Sequence, residues 1–339
     1  MKIYDFKNKI DNKDLDEISN YLKDGKLVIF PTETVYGIGA NAFDELAINK
    51  IFEAKGRKSD NPLIVHVSDY EMIKSCVKEI SPIEKQIIDN FMPGPVTLIL
   101  PKKDIIPMVV TSNLDTVGIR MPNNKIAHDL IKRCNFPIAA PSANLSTKPS
   151  GTKVSDIIDE FKDKVEAIID GGESDIGLES TVIKVINGIP TILRPGRITA
   201  NDIIEVTGKC VYSPNLNEIK TGIVESPGLK YKHYAPNTPS ILIYNEDEEK
   251  MINLIKKNIT SKTIIIGFKE HQPFFDNTFI SLGSKNDLNE ISHNIFSALR
   301  KADQLNGDVI IIEGVKKDGI GIAIMNRLIK SCSHNYIDN

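Results

Sequence analysis

Over residues 208–239 the apolar periodicity that organises the rest of the chain lapses. The stretch holds Pro214, Pro227, Gly228, Pro236 and Pro239 with few apolar runs, and prolines at that density exclude both a continuous helix and a central strand. It divides the chain into units at 1–207 and 240–339, which fits the rough guide of about 150 residues per domain. A connection of this length is usually functional or disordered. Its tail, Ser226-Pro-Gly-Leu-Lys-Tyr-Lys-His-Tyr-Ala-Pro236, is dense in basic and aromatic residues, so we read it as functional.

Before the break, short strand-like runs interleave with helical spacings. Leu27–Phe30 reads as a buried strand ended by Pro31, and Asp44 caps a helix carrying Leu46, Ile48, Ile51 and Phe52. Pro62–Val67 is a second strand. Ser81-Pro82 starts a helix with proline at its first position, and Pro93-Gly94-Pro95 stops it. Further strands are expected at Val96–Leu100, Val117–Met121, Glu166–Ile169, Thr181–Ile186 and Thr191–Leu193. Helices are expected at Lys125–Cys134, at Val154–Phe161 and after Thr199. The pattern predicts a layered α/β or α+β domain.

After the break the alternation is cleaner. Strands at Ile241–Tyr244, Thr263–Gly267, Thr278–Leu282 and Val309–Ile312 alternate with helices at Glu246–Lys257, Asp287–Leu305 and Ile320–Lys330. This predicts a small open α/β sheet of Rossmann-like character. Gly319-Ile-Gly321 supplies only two of the glycines that a nucleotide loop needs.

Composition narrows the function classes. The net charge of −3 argues against a basic coat for nucleic acid. Cys76, Cys134, Cys210 and Cys332 are scattered, with no C-x-x-C pair, so a zinc knuckle is disfavoured and a reducing compartment expected. The N-terminus lacks an apolar signal core, and no run approaches the ~18 apolar residues of a membrane span. The expectation is a soluble, cytoplasmic protein.

No Walker A loop, H-E-x-x-H or G-x-S-x-G is present; Thr207-Gly-Lys-Cys210 lacks the upstream glycine. Gly37-Ile-Gly-Ala-Asn-Ala42 fits a loose dinucleotide fingerprint, but Pro31–Tyr36 separates it from the strand, so we read the glycines as allowing a tight turn. More informative are polar residues beside glycine, proline and strand ends. They are Pro31-Thr-Glu-Thr34, Lys55-Gly-Arg57, Asn61, Thr116, Arg120, Ser142, Asn144, Ser150, Ser180-Thr181 and Arg194. Singly, each has a plain explanation as a helix-end charge, a turn cap or a surface ion pair. Together, four cations with several hydroxyl and amide groups suit a polyanion held in a non-Walker cradle.

The same residues carry a resemblance. Pro31-Thr-Glu-Thr-Val-Tyr-Gly-Ile-Gly-Ala40, Ala54-Lys-Gly-Arg57, Asn61-Pro-Leu-Ile-Val-His66, Pro93-Gly-Pro-Val-Thr97, Val117-Gly-Ile-Arg-Met-Pro122, Ala140-Pro-Ser-Ala-Asn144, Glu179-Ser-Thr-Val182, Ile192-Leu-Arg-Pro-Gly196 and Lys232-His-Tyr-Ala-Pro236 occur in one order. That set resembles the YrdC-like threonylcarbamoyl-AMP synthases, in their longer two-domain form. Ile38 and Lys58 stand where the pattern has Leu and Pro.

The resemblance implies a twisted mixed α/β catalytic domain over 1–207, a linker or lid over 208–239 and a Rossmann-like domain over 240–339. It implies synthesis of threonylcarbamoyl-adenylate from L-threonine, bicarbonate and ATP with release of pyrophosphate, Mg²⁺ arriving on ATP. The product feeds modification of the adenosine beside the anticodon of tRNAs, through a downstream transferase whose contact is transient. Neither a membrane nor stable nucleic-acid binding is required.

Carried over by motif, Lys55, Arg57, Ser142 and Asn144 resemble a basic-polar tetrad around the phosphates. Thr34, His66, Arg120, Ala140 (through its backbone) and Ser180 resemble a threonine pocket. Arg57, Asn61, Thr116, Ser142, Ser150, Arg194 and Tyr234 resemble ATP contacts, Tyr234 folding back over the nucleotide. No protein metal site is implied. Two other readings compete: an RNA-binding module, which the net charge disfavours, and a carbamoyl-transfer enzyme of the hydrogenase-maturation class, whose cysteine-rich zinc segments this chain lacks.

Overall fold

The computed structural model describes residues 1–214, 216, 224 and 234–338. The Ser226–Pro236 segment therefore falls outside the described residues except for Tyr234, Ala235 and Pro236.

Eleven strands form the first sheet, in the order Lys2–Asp5, Ala167–Asp170, Val28–Phe30, Gly37–Asn41, Ile138–Ala139, Ile64–His66, Thr116–Arg120, Val96–Pro101, Thr181–Ile186, Ile189–Arg194, Val211–Tyr212. Parallel and antiparallel pairings are mixed, as expected for an α+β layer rather than a doubly wound sheet. The last strand lies within the stretch expected to be linker, so the chain stays with the first sheet through Tyr212.

Helices pack where their caps permit. Asn12–Lys23 starts at Asp11, whose carboxylate accepts from the amides of Lys13 and Asp14. Pro82–Phe91 begins with a capping box, Ser81 and Glu84 each accepting from the other's backbone amide. Lys125–Cys134 runs from an Asn124 cap to a left-handed Asn135. The Val154–Phe161 helix divides into a 3-10 turn at Val154–Asp156 and a single turn at Ile158–Phe161. Asp156 turns back to accept from the amides of Thr152 and Lys153, which tightens the turn against an α-helical continuation.

Gly37 and Gly39 correct the expectation of a tight turn, because both lie within a strand. A Cβ on Gly39 would come within 2.7 Å of Ile138 Cγ2 and Phe30 Cε1. The glycine is there for close packing.

The second sheet, ordered Thr278–Ser281, Thr263–Gly267, Val309–Glu313, Ser240–Tyr244, Tyr336–Asp338, is parallel throughout. Ile264–Ile266 and Ile310–Ile312 are buried along their whole length, the expected signature of a parallel sheet covered on both faces. Glu248–Lys257, Leu288–Gln304 and Gly321–Ser331 are its helices.

The two units share a core. Val35 and Leu178 of the first unit and Tyr234 pack into the apolar cluster of the second. Arg300 donates to the carbonyls of Pro149 and Asp156 and to the Glu160 carboxylate. Ser292 donates to the carbonyl of Ile176. Gly177, at φ +74°, lies so near the Ser292–His293 backbone that a Cβ would approach it to 2.5 Å.

Candidate active site

The site is a cleft with about 790 Å³ of empty space, part of it open to solvent. Its first wall is the turn after strand Val28–Phe30. Pro31 ends that strand, and the Thr32 hydroxyl donates to the carbonyl of Val35 while accepting from the amides of Thr34 and Val35. This closed turn presents Thr32 and Thr34, whose hydroxyls are 2.9 Å apart, to the cleft.

The floor comes from two neighbouring parallel strands. Their register sets His66 opposite Arg120. Burial, then the Arg120 charge, pulls the His66 imidazole down to about 3, so the ring is neutral at ordinary pH. The Arg120 guanidinium forms a 2.8 Å ion pair with Glu33. Its Nε has no hydrogen-bond partner among the described residues.

The phosphate-side candidates come from the end of helix Glu45–Lys55 and the loop after Ile138–Ala139. Lys55 is buried, and its ammonium donates to the carbonyls of Ser142 and Asn144. Burial and then Arg57 push its pKa well down; the two carbonyls act in the opposite direction by solvating the charged form. The Ser142 hydroxyl donates to Asn144 Oδ1 at 2.6 Å, and the Asn144 amide holds the carbonyls of Leu145 and Lys148. Left-handed Gly56 lets Arg57 turn off the helix end, and Arg57 donates to the carbonyl of Asn61 at 2.9 Å.

A third wall is the loop Gly177–Ser180. Arg194 donates through Nε and Nη2 to the Ser180 carbonyl and through Nη2 to its hydroxyl. Burial lowers Arg194 to about 10, so it remains a cation at neutral pH. Tyr234, at φ +62°, closes the far side. Its ring lies 5.1 Å from that of Phe296, and burial raises its hydroxyl to about 12.

Of the residues named from sequence, Thr34, Lys55, Arg57, His66, Arg120, Ala140, Ser142, Asn144, Ser180, Arg194 and Tyr234 line this one cleft. Asn61, Thr116 and Ser150 do not. Asn61 is buried beneath Arg57, and Ser150 is buried with its hydroxyl on Glu179. Thr116 begins the strand that ends at Arg120, about 13 Å away at strand rise. Thr32 stands among the polar candidates without an assigned role, and Glu179 is not singled out within its motif; both line the cleft. Among the described residues, no His/Cys/Asp/Glu cluster suits a metal ion.

Two family models cover the chain. The Sua5/YciO/YrdC model, described as telomere recombination, matches residues 20–196, and the model described as threonylcarbamoyl-AMP synthase, C-terminal domain, matches residues 198–333. The threonylcarbamoyl-AMP synthase of Pyrococcus abyssi is 43% identical over 94% of both chains. This chain belongs to the Sua5/YrdC threonylcarbamoyl-AMP synthase family. The Bacillus subtilis threonylcarbamoyl-AMP synthase is 40% identical over 93% of this chain and 92% of its own. A crystal structure of P. abyssi Sua5 complexed with L-threonine superimposes with a TM-score of 0.95 at 40% identity, covering all of both chains. The mixed α/β first unit and the parallel second unit are thus the two-domain Sua5 architecture. No described helix is long and apolar enough to cross a membrane.

Proposed function

We propose that the cleft joins L-threonine, bicarbonate and ATP into threonylcarbamoyl-AMP, releasing pyrophosphate and water. The chain is a transferase of the threonylcarbamoyl-AMP synthase family, serving tRNA modification. The observation that carries the residue-level reading is the convergence of Lys55, Arg57, Arg120 and Arg194 with the Thr34, Ser142 and Ser180 side chains on one cleft.

The threonine amine takes up bicarbonate with loss of water to give a carbamate. A carbamate oxygen then attacks the α-phosphorus of ATP, and the bond to pyrophosphate breaks. Both reactants are anions, so the demand on the protein is positioning and charge neutralisation rather than a nucleophile. Arg120, with an uncommitted Nε–H, suits the threonine carboxylate, because a guanidinium grips a carboxylate by two parallel hydrogen bonds. Neutral His66 and the Thr34 and Ser180 hydroxyls complete that end without adding charge.

Arg57, Ser142, Asn144 and Arg194 take the nucleotide end, with Lys55 bracing the loop that carries Ser142 and Asn144. Asn61 supports Arg57 through its carbonyl, and its buried side-chain amide has no hydrogen-bond partner among the described residues. Leaving such a group unmet costs about 1–3 kcal/mol, and Asn61, buried outside the cleft, acts on it through Arg57. Mg²⁺ enters as the ATP complex and offsets phosphate charge. Tyr234 covers the site, excluding water from a labile mixed anhydride. The product passes to a downstream tRNA transferase in the cytoplasm.

The test is pyrophosphate release from Mg-ATP with threonine and bicarbonate omitted in turn. A requirement for both supports the reading. Release with threonine alone in carbonate-free buffer points to ordinary amino-acid activation, and no release under any condition favours a binding module.

A further inference from the structure

A buried arginine of the second unit reaches the wall of the cleft in the first. Arg327, on helix Gly321–Ser331, is fully buried and donates through Nε to Glu179 Oε2 at 2.9 Å. The other Glu179 oxygen accepts from the Ser150 hydroxyl at 2.7 Å. Glu179 lines the cleft, and the next residue is Ser180, which Arg194 grips from the neighbouring strand. The Arg327 guanidinium also lies 5.8 Å from the centre of the Tyr234 ring. One side chain from the C-terminal unit thus touches both the fixed wall and the covering residue.

We propose that Arg327 is a positioning residue for the threonine end of the cleft, holding Glu179 and through it the Ser150 and Ser180 hydroxyls in working register. The inference rests on the assignment of Ser180 to the threonine end.

Three features support it. First, the second unit holds the Gly177–Ser180 loop from both ends. Ser292 donates to the carbonyl of Ile176 and its backbone packs against Gly177 at one end, and at the other the charged hold on Glu179 is Arg327. Second, Arg327 is bound at several points: Nη1 donates to Asn326 Oδ1 at 3.0 Å while Nε holds Glu179, so its fork is directed rather than swinging. Third, the charge around Glu179 is one-sided. Arg327 and Lys330 from the helix and Arg194 from the strand face it, Lys330 being lowered by burial to about 7, with Tyr234 and Ser150 as neutral neighbours. Burial alone would raise the Glu179 carboxyl, but Arg327 and then Arg194 hold it below its usual range. Glu179 therefore stays an ionised acceptor at the cleft wall.

The experiment uses the full chain and measures KM for threonine and for ATP, kcat, and the melting temperature. Wild type must first show threonine-dependent pyrophosphate release; if it does not, the site assignment fails and this inference with it. In Arg327→Met the threonine KM is expected to rise about tenfold or more, with the ATP KM changing far less. With its nearest cation gone, buried Glu179 takes up a proton more readily. The variant's threonine KM should then change more steeply with pH than that of wild type, in which Lys330 beside Glu179 already titrates near about 7. The double variant Glu179→Gln/Arg327→Met should lose that added steepness, and Arg327→Lys should recover part of the loss. A threonine KM within about twofold of wild type in Arg327→Met overturns the proposal. So does a fall in kcat for all substrates that merely tracks the melting temperature. Should Arg327→Met not fold, Glu179→Gln and Arg327→Lys decide: a raised threonine KM in both supports the proposal, and an unchanged one in either overturns it.

Discussion

Arg120 and Glu33 form a buried ion pair of 2.8 Å, each side chain about 5% exposed, beside the proposed threonine end of the cleft. The pair engages the guanidinium through Nη2, and Nε has no hydrogen-bond partner among the described residues. Lysine at this position would keep the charge for Glu33 but offer no second, parallel donor. Arg120→Lys is expected to raise the threonine KM by about tenfold or more, roughly 1.4 kcal/mol. Titrating threonine into the variant by calorimetry checks this, and an unchanged affinity removes Arg120 from the carboxylate-binding role.

Tyr234 separates a lid from a tether. Its left-handed backbone is held by the hydrogen bond from the Ala235 amide to the carbonyl of cleft-lining Thr147. Tyr234→Ala would open the cleft beside Phe296 and Arg327. We expect turnover to drop about tenfold, with AMP accumulating in place of threonylcarbamoyl-AMP as water reaches the anhydride. Product analysis by chromatography reads both; wild-type rate and product ratio would mark the segment as a mere connection.

His66 predicts a pH slope in stability. Its pKa is lowered from 6.5 to about 3 in the folded chain. Below 6.5 the unfolded chain takes up a proton that the folded chain refuses. The stabilisation present above 6.5 is therefore lost as pH falls towards 3, by about 1.4 kcal/mol per pH unit. Urea denaturation at pH 7 and pH 5 should show a shallower decline for His66→Gln than for wild type. Parallel declines would mean that the ring is not buried neutral.

Gly39→Ala tests the packing reading of the strand glycines. The added methyl meets Ile138 and Phe30 at 2.7 Å, in a core with no room to spare. Overpacking of this kind costs about 1–3 kcal/mol. Thermal denaturation gives the answer, and a melting point equal to that of wild type would return the glycines to a purely conformational role.

Local signals were what the sequence displayed well. Lys125–Cys134 was legible because Asn124 and Asn135 mark its two ends, and Thr263–Gly267 because four β-favouring residues run into a glycine. Lys2–Asp5 and Asn12–Lys23 went unread although Asp11 is a proper cap, since the strand is too short and too exposed to show alternation. Gly37–Asn41 was misread because the need for glycine there comes from Ile138, a residue distant in the chain.

The candidate site divides the same way. Lys55, Arg57, Ser142, Asn144 and Arg194 were visible as cations and hydroxyls beside turns, and all five line the cleft. Asn61, Thr116 and Ser150 carry the same residue chemistry, but pleat direction and burial decide which side chains reach the cleft, and spacing does not encode that. Arg327 had no signal at all. Its partner is 148 residues away, and nothing around it but an ordinary amphipathic helix is apparent before the two units meet.

Val35 and Leu178 have a consequence for how the chain can be divided. Val35 lines the cleft and Leu178 precedes cleft-lining Glu179, yet both belong to the apolar cluster of the other sheet. A fragment ending after helix Ala200–Thr207 would turn this saddle towards water beside its own catalytic entrance. Such a patch invites self-association, and water would enter where the reaction must stay dry. The C-terminal unit is better regarded as the missing side of the vessel than as cargo carried behind it.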